Sequence, residues 1–246
     1  MSVLANYEPK NVFSYFEKLC TVPRGSGNTD GIASYLISFA EEHGLENYRD
    51  AANNVIIRKN GTAGYEESAP VIIQGHLDMV PQKNEDTDHD FEKDPIQAYV
   101  DGEWVRAKGT TLGADNGMGV AAGMAMLTAT DIPHGPLEVL ITATEETGMD
   151  GANGLKPGLL KGDILLNLDS ETEGELYVGC AGGLDSTIEF NYQEEAVPAD
   201  VKAFRIGIKG LKGGHSGMDI ILGRANANKV LNRMLWGAGA KYGLRL

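Results

Sequence analysis

Three short stretches of this chain end in side chains able to hold a metal ion or move a proton. "VIIQGHLDM" brings His76 and Asp78, "LEVLITATEE" brings Glu145 and Glu146, and "DILLNLDSE" brings Asp169. A fourth, "TLGADNGMG", places Asp115 where a helix starts. Each has an ordinary explanation when taken alone. A lone histidine after a strand is usually a hydrogen-bonded structural residue. An aspartate at a helix start is usually a cap that favours the dipole, and a Glu-Glu pair is usually a solvated loop. The balance changes because three apolar strands and one helix start deliver these residues to the same edge of one sheet. That edge, at the C-terminal ends of the strands, is where open α/β sheets bind their ligands.

Carboxylates crowded into one cleft raise one another's pKa and destabilise the fold unless a cation neutralises them. One imidazole among several carboxylates suits zinc, cobalt or manganese better than calcium, and a bridging carboxylate can hold two ions. Two ions ~3.5–4 Å apart polarise a carbonyl and lower the pKa of a shared water from ~15.7 towards ~7. A carboxylate outside the ligand set can then take the water's proton and pass it to a leaving amine. Glu145, beside a ligating Glu146, is the candidate for that role. Asp78 is placed to fix the ring of His76.

The elements that must position these groups follow from the pattern of apolar residues. Residues 9–20 fit an amphipathic helix through Phe13, Phe16 and Leu19, and "VPRGSGNTD" breaks it. Asp30 caps a second helix that runs to about His43 and stops at Gly44. "NNVIIRKNG" and residues 70–74 are strands, and "DPIQAYVDGEWVRAKG" is a hairpin turning at Asp101-Gly102. "DNGMGVAAGMAMLTA" is a small-residue helix able to lie close against a sheet, and two further apolar strands carry the acidic clusters. Helices alternating with near-continuous apolar strands indicate an α/β layer fold with a largely parallel sheet. The texture changes near residue 183. "LDSTIEFNYQEEA" and "VKAFRIGIKGL" alternate as half-wet strands do, "GGHSG" is a glycine-rich turn, and "NANKVLNRMLWGA" is a helix. A catalytic domain over 1–182 and the unfinished beginning of a second over 183–246 are therefore expected.

The 246 residues carry 21 basic and 35 acidic side chains, a formal charge of −14 that repels phosphate backbones and anionic membranes and suits cations. Only Cys20 and Cys180 are present, which argues against a disulfide framework or a cysteine zinc site. The N-terminal stretch shows no secretory pattern, and no apolar run approaches the ~18 residues of a membrane helix. A cytoplasmic protein with no nucleic-acid or membrane partner is the expectation.

Taken together, "GHLDMVP", "GTTLGADNGMGVA", "TATEETGMDGA" and "NLDSE" resemble the active-site motifs of the zinc peptidases related to aminoacylase and glutamate carboxypeptidase. Within that family the likeness is to the bacterial aminoacyl-histidine dipeptidases, and it covers essentially the whole chain. The resemblance implies a three-layer catalytic domain and the start of a smaller α+β lid and dimerisation domain. It implies two divalent ions, zinc or else cobalt or manganese, with His76 and Asp169 on one, Asp115 bridging, and Glu146 on the second. Asp78 matches the orienting aspartate and Glu145 the general base. "GGHSGMDI" resembles the loop whose histidine, here His215, contacts the substrate from a partner subunit of a homodimer. The implied reaction is hydrolysis of dipeptides, preferentially Xaa-His such as β-alanyl-histidine. The family's second metal also takes a histidine from near the end of a longer chain, and no histidine follows His215. The chain therefore reads as an N-terminal half.

Other readings fit less well. "GMGVAAG", residues 117–123, mimics a dinucleotide loop, but no apolar strand leads into it and Asp115 would repel a pyrophosphate. "GGHSG" is not a nucleophile elbow. Residues 84–94 lack the EF-hand glycine and final glutamate, and His89 and His134 read as surface residues. An inactive fragment, or a non-catalytic metal-binding or association module, is the alternative from another class. Among enzymes, a tripeptidase or acylamino-acid deacylase would share the metal core.

Overall fold

Alternate residues along a strand face opposite sides of a sheet, and here the two sides meet cores of different size. The computed structural model describes every residue except Met1, Glu171, Ala181, Asp185, Ser216, Met218, Arg245 and Leu246. The Glu171 end of "NLDSE" and Ser216 of "GGHSG" therefore lie outside the described residues. The chain divides into two units, residues 1–181 and 182–246.

The first unit is built on a five-stranded mixed sheet. Its strands are β1 (Glu46–Arg49), β2 (Val55–Lys59), β3 (Val71–His76), β6 (Leu137–Thr142) and β7 (Ile164–Asn167), in the spatial order β1-β2-β6-β3-β7. β3 runs parallel to both β6 and β7, whereas β1–β2 and β2–β6 are antiparallel. The parallel half carries the acidic strand ends, and the antiparallel half is a hairpin-like extension. β1, an edge strand with alternating exposure, is not apparent from the sequence pattern. A separate hairpin, β4 (Ala98–Asp101) and β5 (Trp104–Ala107), pairs Asp101 with Trp104 across a turn in which Gly102 takes φ +62°.

Val55 and Ile57 of β2, Ile73 of β3, and Val139 and Ile141 of β6 point into the larger core. Three helices fill it: α1 (Lys10–Cys20), α2 (Asp30–Glu42) and α3 (Ala114–Thr128). α1 supplies Phe16, Leu19 and Cys20; α2 supplies Ile32, Ala33, Leu36, Phe39 and Ala40; α3 supplies Val120, Ala121, Met124 and Leu127. The intervening residues Ile56, Ile72 and Leu140 face a smaller cluster with Leu155, Leu159 and Leu160. That third layer is thin and follows the short helix α4 (Asp150–Gly154). α3 approaches the sheet closely because Gly123 has no side chain: a Cβ there would sit 2.9 Å from Val139 Cγ1. Thr29, not Asp30, flanks the start of α2, and the Asp30 carboxylate pairs with Arg49 instead. Gly44 ends that helix at φ +65°.

In the second unit the only regular elements among the described residues are a short 3₁₀ turn (Ile220–Leu222) and α5 (Ala227–Tyr242). The two alternating strands expected over 184–211 are not formed among the described residues. Ile188, Phe190 and Tyr192 are 88%, 83% and 73% exposed, so the alternation has no facing surface to satisfy it. Strand preference of this kind expresses packing against neighbours rather than an intrinsic backbone demand. No helix among the described residues is long and apolar enough to cross a membrane.

One buried carboxylate ties the sheet together. Glu138, on the fully buried β6, is 2% exposed. It accepts from Arg58 Nε at 2.9 Å and from the backbone N–H groups of Lys161 and Gly162 at 2.7 and 2.9 Å. Burial pushes its carboxyl up, but these bonds to the charged form prevail and hold it below the usual carboxylate range. A depressed folded pKa stabilises the fold above the unfolded value of ~4.3 and loses that contribution as pH falls through the folded value. Glu138→Ala should therefore cost about 1–3 kcal/mol, because it leaves two amides and Arg58 Nε without their acceptor while the guanidinium keeps Glu46 and the Leu159 carbonyl. Urea unfolding at pH 7 should show this deficit, and the gap from the parent should shrink in measurements taken near pH ~3.

Candidate metal centre

The site is organised from below by Asp78, which is 0% exposed. β3 ends at His76, and two residues later the Asp78 carboxylate turns back under it. His76 Nδ1 lies 3.0 Å from the Asp78 carbonyl and 3.5 Å from Asp78 Oδ1. The same carboxylate accepts the backbone N–H of Glu145 on Oδ1 at 3.0 Å and that of Glu146 on Oδ2 at 3.3 Å. Ser26 Oγ donates to Oδ2 at 2.8 Å. Presenting two successive N–H groups to one carboxylate requires a sharp turn after β6. Thr144 makes it at φ +57°, a left-handed conformation unusual for a β-branched residue.

With Nδ1 engaged below, His76 Nε2 faces the acidic groups. It lies 2.9 Å from Asp115 Oδ1, 3.5 Å from Asp169 Oδ1 and 3.9 Å from Glu145 Oε2. Asp115 does not cap α3. Gly113, at φ +71°, flanks that helix, and the chain departs from helical geometry at Asp115 and Asn116, where the peptide bond is cis. Asn116 then turns inward. Its Nδ2 donates to Asp169 Oδ1 at 2.7 Å and to the Leu168 carbonyl at 2.8 Å, which fixes Asp169 two residues beyond β7. The Asn116 amide oxygen fills the space where Gly75 and Gly119 lack a Cβ.

The electrostatics are those of a crowded anionic cleft around one imidazole. Burial disfavours the His76 cation, but hydrogen bonds to Asp115, Asp169 and Asp78 outweigh it and push His76 up to about 12. Burial would raise Asp78 too, yet its bonds to His76, Glu145 and Ser26 bring it down to about 2. Asp169 is lowered, chiefly by its hydrogen bond with His76. Glu146 moves the other way, to about 7, through burial and then the neighbouring Asp115 charge. Glu145 is also raised, first by burial.

His76, Asp115 and Glu146 offer ligand atoms within 4.8 Å of one another, as do His76, Glu145 and Asp169. One imidazole with carboxylate oxygens is a donor set for zinc, manganese or cobalt, and the residues present fit a divalent ion. The structure therefore gathers six of the seven sequence-derived site residues: His76, Asp78, Asp115, Glu145, Glu146 and Asp169. His215 lies in the second unit, where its N–H donates to Asp219 and its Nδ1 accepts from Gly217 N–H, both at 3.0 Å. His134 is not a surface residue: it is 8% exposed, with Nδ1 2.7 Å from the Gly135 carbonyl. His89 is half-buried against Phe91. Sequence reasoning missed Ser26, Asn116 and Arg24. The available signal was a polar, glycine-rich loop, "PRGSGN", which reads most simply as a helix breaker.

Residues 72–228 match the peptidase family M20/M25/M40, and the chain belongs to that family. It is 53% identical over all 246 residues to the cytosol non-specific dipeptidase of Escherichia coli strain K12, covering 51% of that protein. The solved structure of aminoacylhistidine dipeptidase from Vibrio alginolyticus superposes with a TM-score of 0.72 and 48% identity, over 100% of this chain and 50% of that one. A tripeptidase from Staphylococcus aureus matches at TM-score 0.57 and 25% identity, over 66% of this chain and 44% of that one. The chain thus spans about half the length of these first two relatives.

A ligand that binds only the folded state raises stability by about 2.7 kcal/mol at 100 times its Kd. Zinc or cobalt should accordingly raise the unfolding midpoint of this chain, and a chelator should reverse the shift. His76→Ala and Asp169→Ala should each abolish most of it when followed by scanning calorimetry.

Proposed function

We propose that this chain carries the di-metal centre of a dipeptidase that hydrolyses Xaa-His dipeptides such as β-alanyl-histidine. The observation that carries the reading is the convergence of one imidazole and four carboxylates at a single sheet edge. The E. coli relative is named a cytosol non-specific dipeptidase and the Vibrio structure an aminoacylhistidine dipeptidase, which supports a dipeptide substrate and a cytoplasmic location.

In this reading His76 and Asp169 would hold one ion and Glu146 the second, with Asp115 shared between them. Zinc is the preferred metal, with cobalt or manganese as substitutes. A divalent ion at this position supplies Lewis-acid polarisation of the scissile carbonyl and acidification of a water. The remaining work belongs to the chain. His76 gives up its proton to act as a ligand, and Asp78 holds the ring so that Nε2 points into the cleft. Because Asp78 also grips the Glu145 and Glu146 amides, the ligand and the base keep a fixed separation. Glu145, whose proton affinity is raised by burial, accepts a proton from the attacking water at its carboxylate and delivers it to the departing amine. The second unit acts as a lid and homodimer surface, with His215 contacting the substrate of the neighbouring copy. The exposure of Met234 and Trp236 on α5, at 50% and 80%, supports that assignment.

A second reading has one observation in its favour: Glu145 lies within ligating reach of His76 and Asp169. Were it a ligand, the site would be a metal-binding module without a base. Glu145→Gln separates the two. As a base variant it should keep its metal content and lose about 10²–10⁴-fold in turnover of β-alanyl-histidine by the metal-supplemented chain. As a ligand variant it would lose metal along with turnover.

A further inference from the structure

Arg24 is 3% exposed, and its guanidinium lies against the backbone that flanks His76 and Asp115. Among the described residues its hydrogen-bond partners are all backbone carbonyls, and they belong to two different site segments. Nη1 donates to the carbonyls of Leu77 at 3.1 Å and Asp78 at 3.3 Å, immediately after His76. Nη2 donates to the carbonyl of Gly113, two residues before Asp115. Strand pairing joins the segments of His76, Glu145–Glu146 and Asp169. Asp115 lies on no strand, and this fork is a direct tie between its segment and that of His76, beside the bonds of Thr111 to the Val80 and Gln82 carbonyls.

The surroundings are cut to fit the guanidinium. A Cβ on Gly113 would lie 2.6 Å from Arg24 Nη2 and equally close to Met79 Sδ. A Cβ on Gly117 would lie 2.6 Å from the same Nη2 and 2.9 Å from the Phe16 ring. Two of the glycines in "GADNGMG" thus make room for one arginine rather than for a nucleotide. The backbone around Arg24 is fixed as well. Met79 N–H donates to the Arg24 carbonyl and Ser26 N–H to the Met79 carbonyl, both at 3.1 Å, and Ser26 Oγ reaches Asp78. A planar fork of N–H donors can bind carbonyls of two segments at once, which a lysine ammonium on a flexible stem cannot reproduce. Burial lowers the guanidinium's proton affinity, and the nearby Cys20, Asp78 and Asp115 oppose that shift.

We infer that Arg24 is a positioning residue for the metal centre, setting the separation of His76 and Asp115 by bridging the loops that carry them. The inference rests on the metal-site reading above, and cobalt distinguishes the two because its visible absorption reports ligand geometry. The purified chain is titrated with cobalt beside Arg24→Lys and Arg24→Gln, with circular dichroism and thermal unfolding run on each metal-free protein. The expected result is that Arg24→Lys stays folded, binds cobalt about 10–100-fold more weakly, and shows an altered visible spectrum. A folded Arg24→Lys or Arg24→Gln with the parent's affinity and spectrum overturns the inference. Loss of the fold in both variants also overturns it, because Arg24 would then be a general structural residue. A parent chain that takes up no cobalt removes the metal reading itself, and this inference with it.

Discussion

A carboxylate with no access to water is costly to keep ionised unless donors replace its hydration, and Asp78 meets that demand with groups from three separate segments. The His76 ring comes from the strand end, the Glu145 and Glu146 amides from the loop after β6, and the Ser26 hydroxyl from the loop after α1. Satisfying one charge therefore fixes the relative positions of a ligand, a base and a second ligand. Much of the site's geometry is a consequence of that single requirement.

The scaffold supplies the precision. In the parallel half of the sheet, His76 pairs in register with Thr142, and Gln74 pairs with Asn167. The three strand ends therefore stop at matched heights, and the residues just beyond them meet. The large core under α1, α2 and α3 holds this register, because a slip of one residue would exchange Ile73, Val139 and Ile57 with the residues now facing the smaller cluster. Crowded negative charge above the sheet is tolerated because the apolar packing below is extensive.

The first unit was legible in the sequence wherever apolar runs were long and bounded by turns. α1, α3, β2, β3, β6 and β7 all carry patterns that the structure follows, and the acidic residues at the strand ends marked the site. What escaped reading depends on tertiary partners. β1, "ENYR", has no apolar signal because it is an edge strand whose pairing with β2 decides its state. Asp30 looked like a cap but found Arg49. Arg24 carried no spacing signature, because its partners are carbonyls 53 to 89 residues away. The strand reading of residues 184–211 failed for the converse reason: alternation was present, but no face within the unit opposes it.

β7 sits at the edge of the sheet. Among the described residues it pairs only with β3, and Ile164, Leu165 and Leu166 are each about half exposed. Asp169 hangs from this strand, whereas His76 and the Glu145–Glu146 loop grow from its interior neighbours. Local opening of an edge ladder needs far less free energy than global unfolding. Peeling of β7 would carry Asp169 away and leave the rest of the cleft standing. Such an opening would leave His76, Asp115 and Glu146, which by themselves place three ligand atoms within 4.8 Å of one another, so the two halves of the acidic cluster differ in how firmly the sheet holds them.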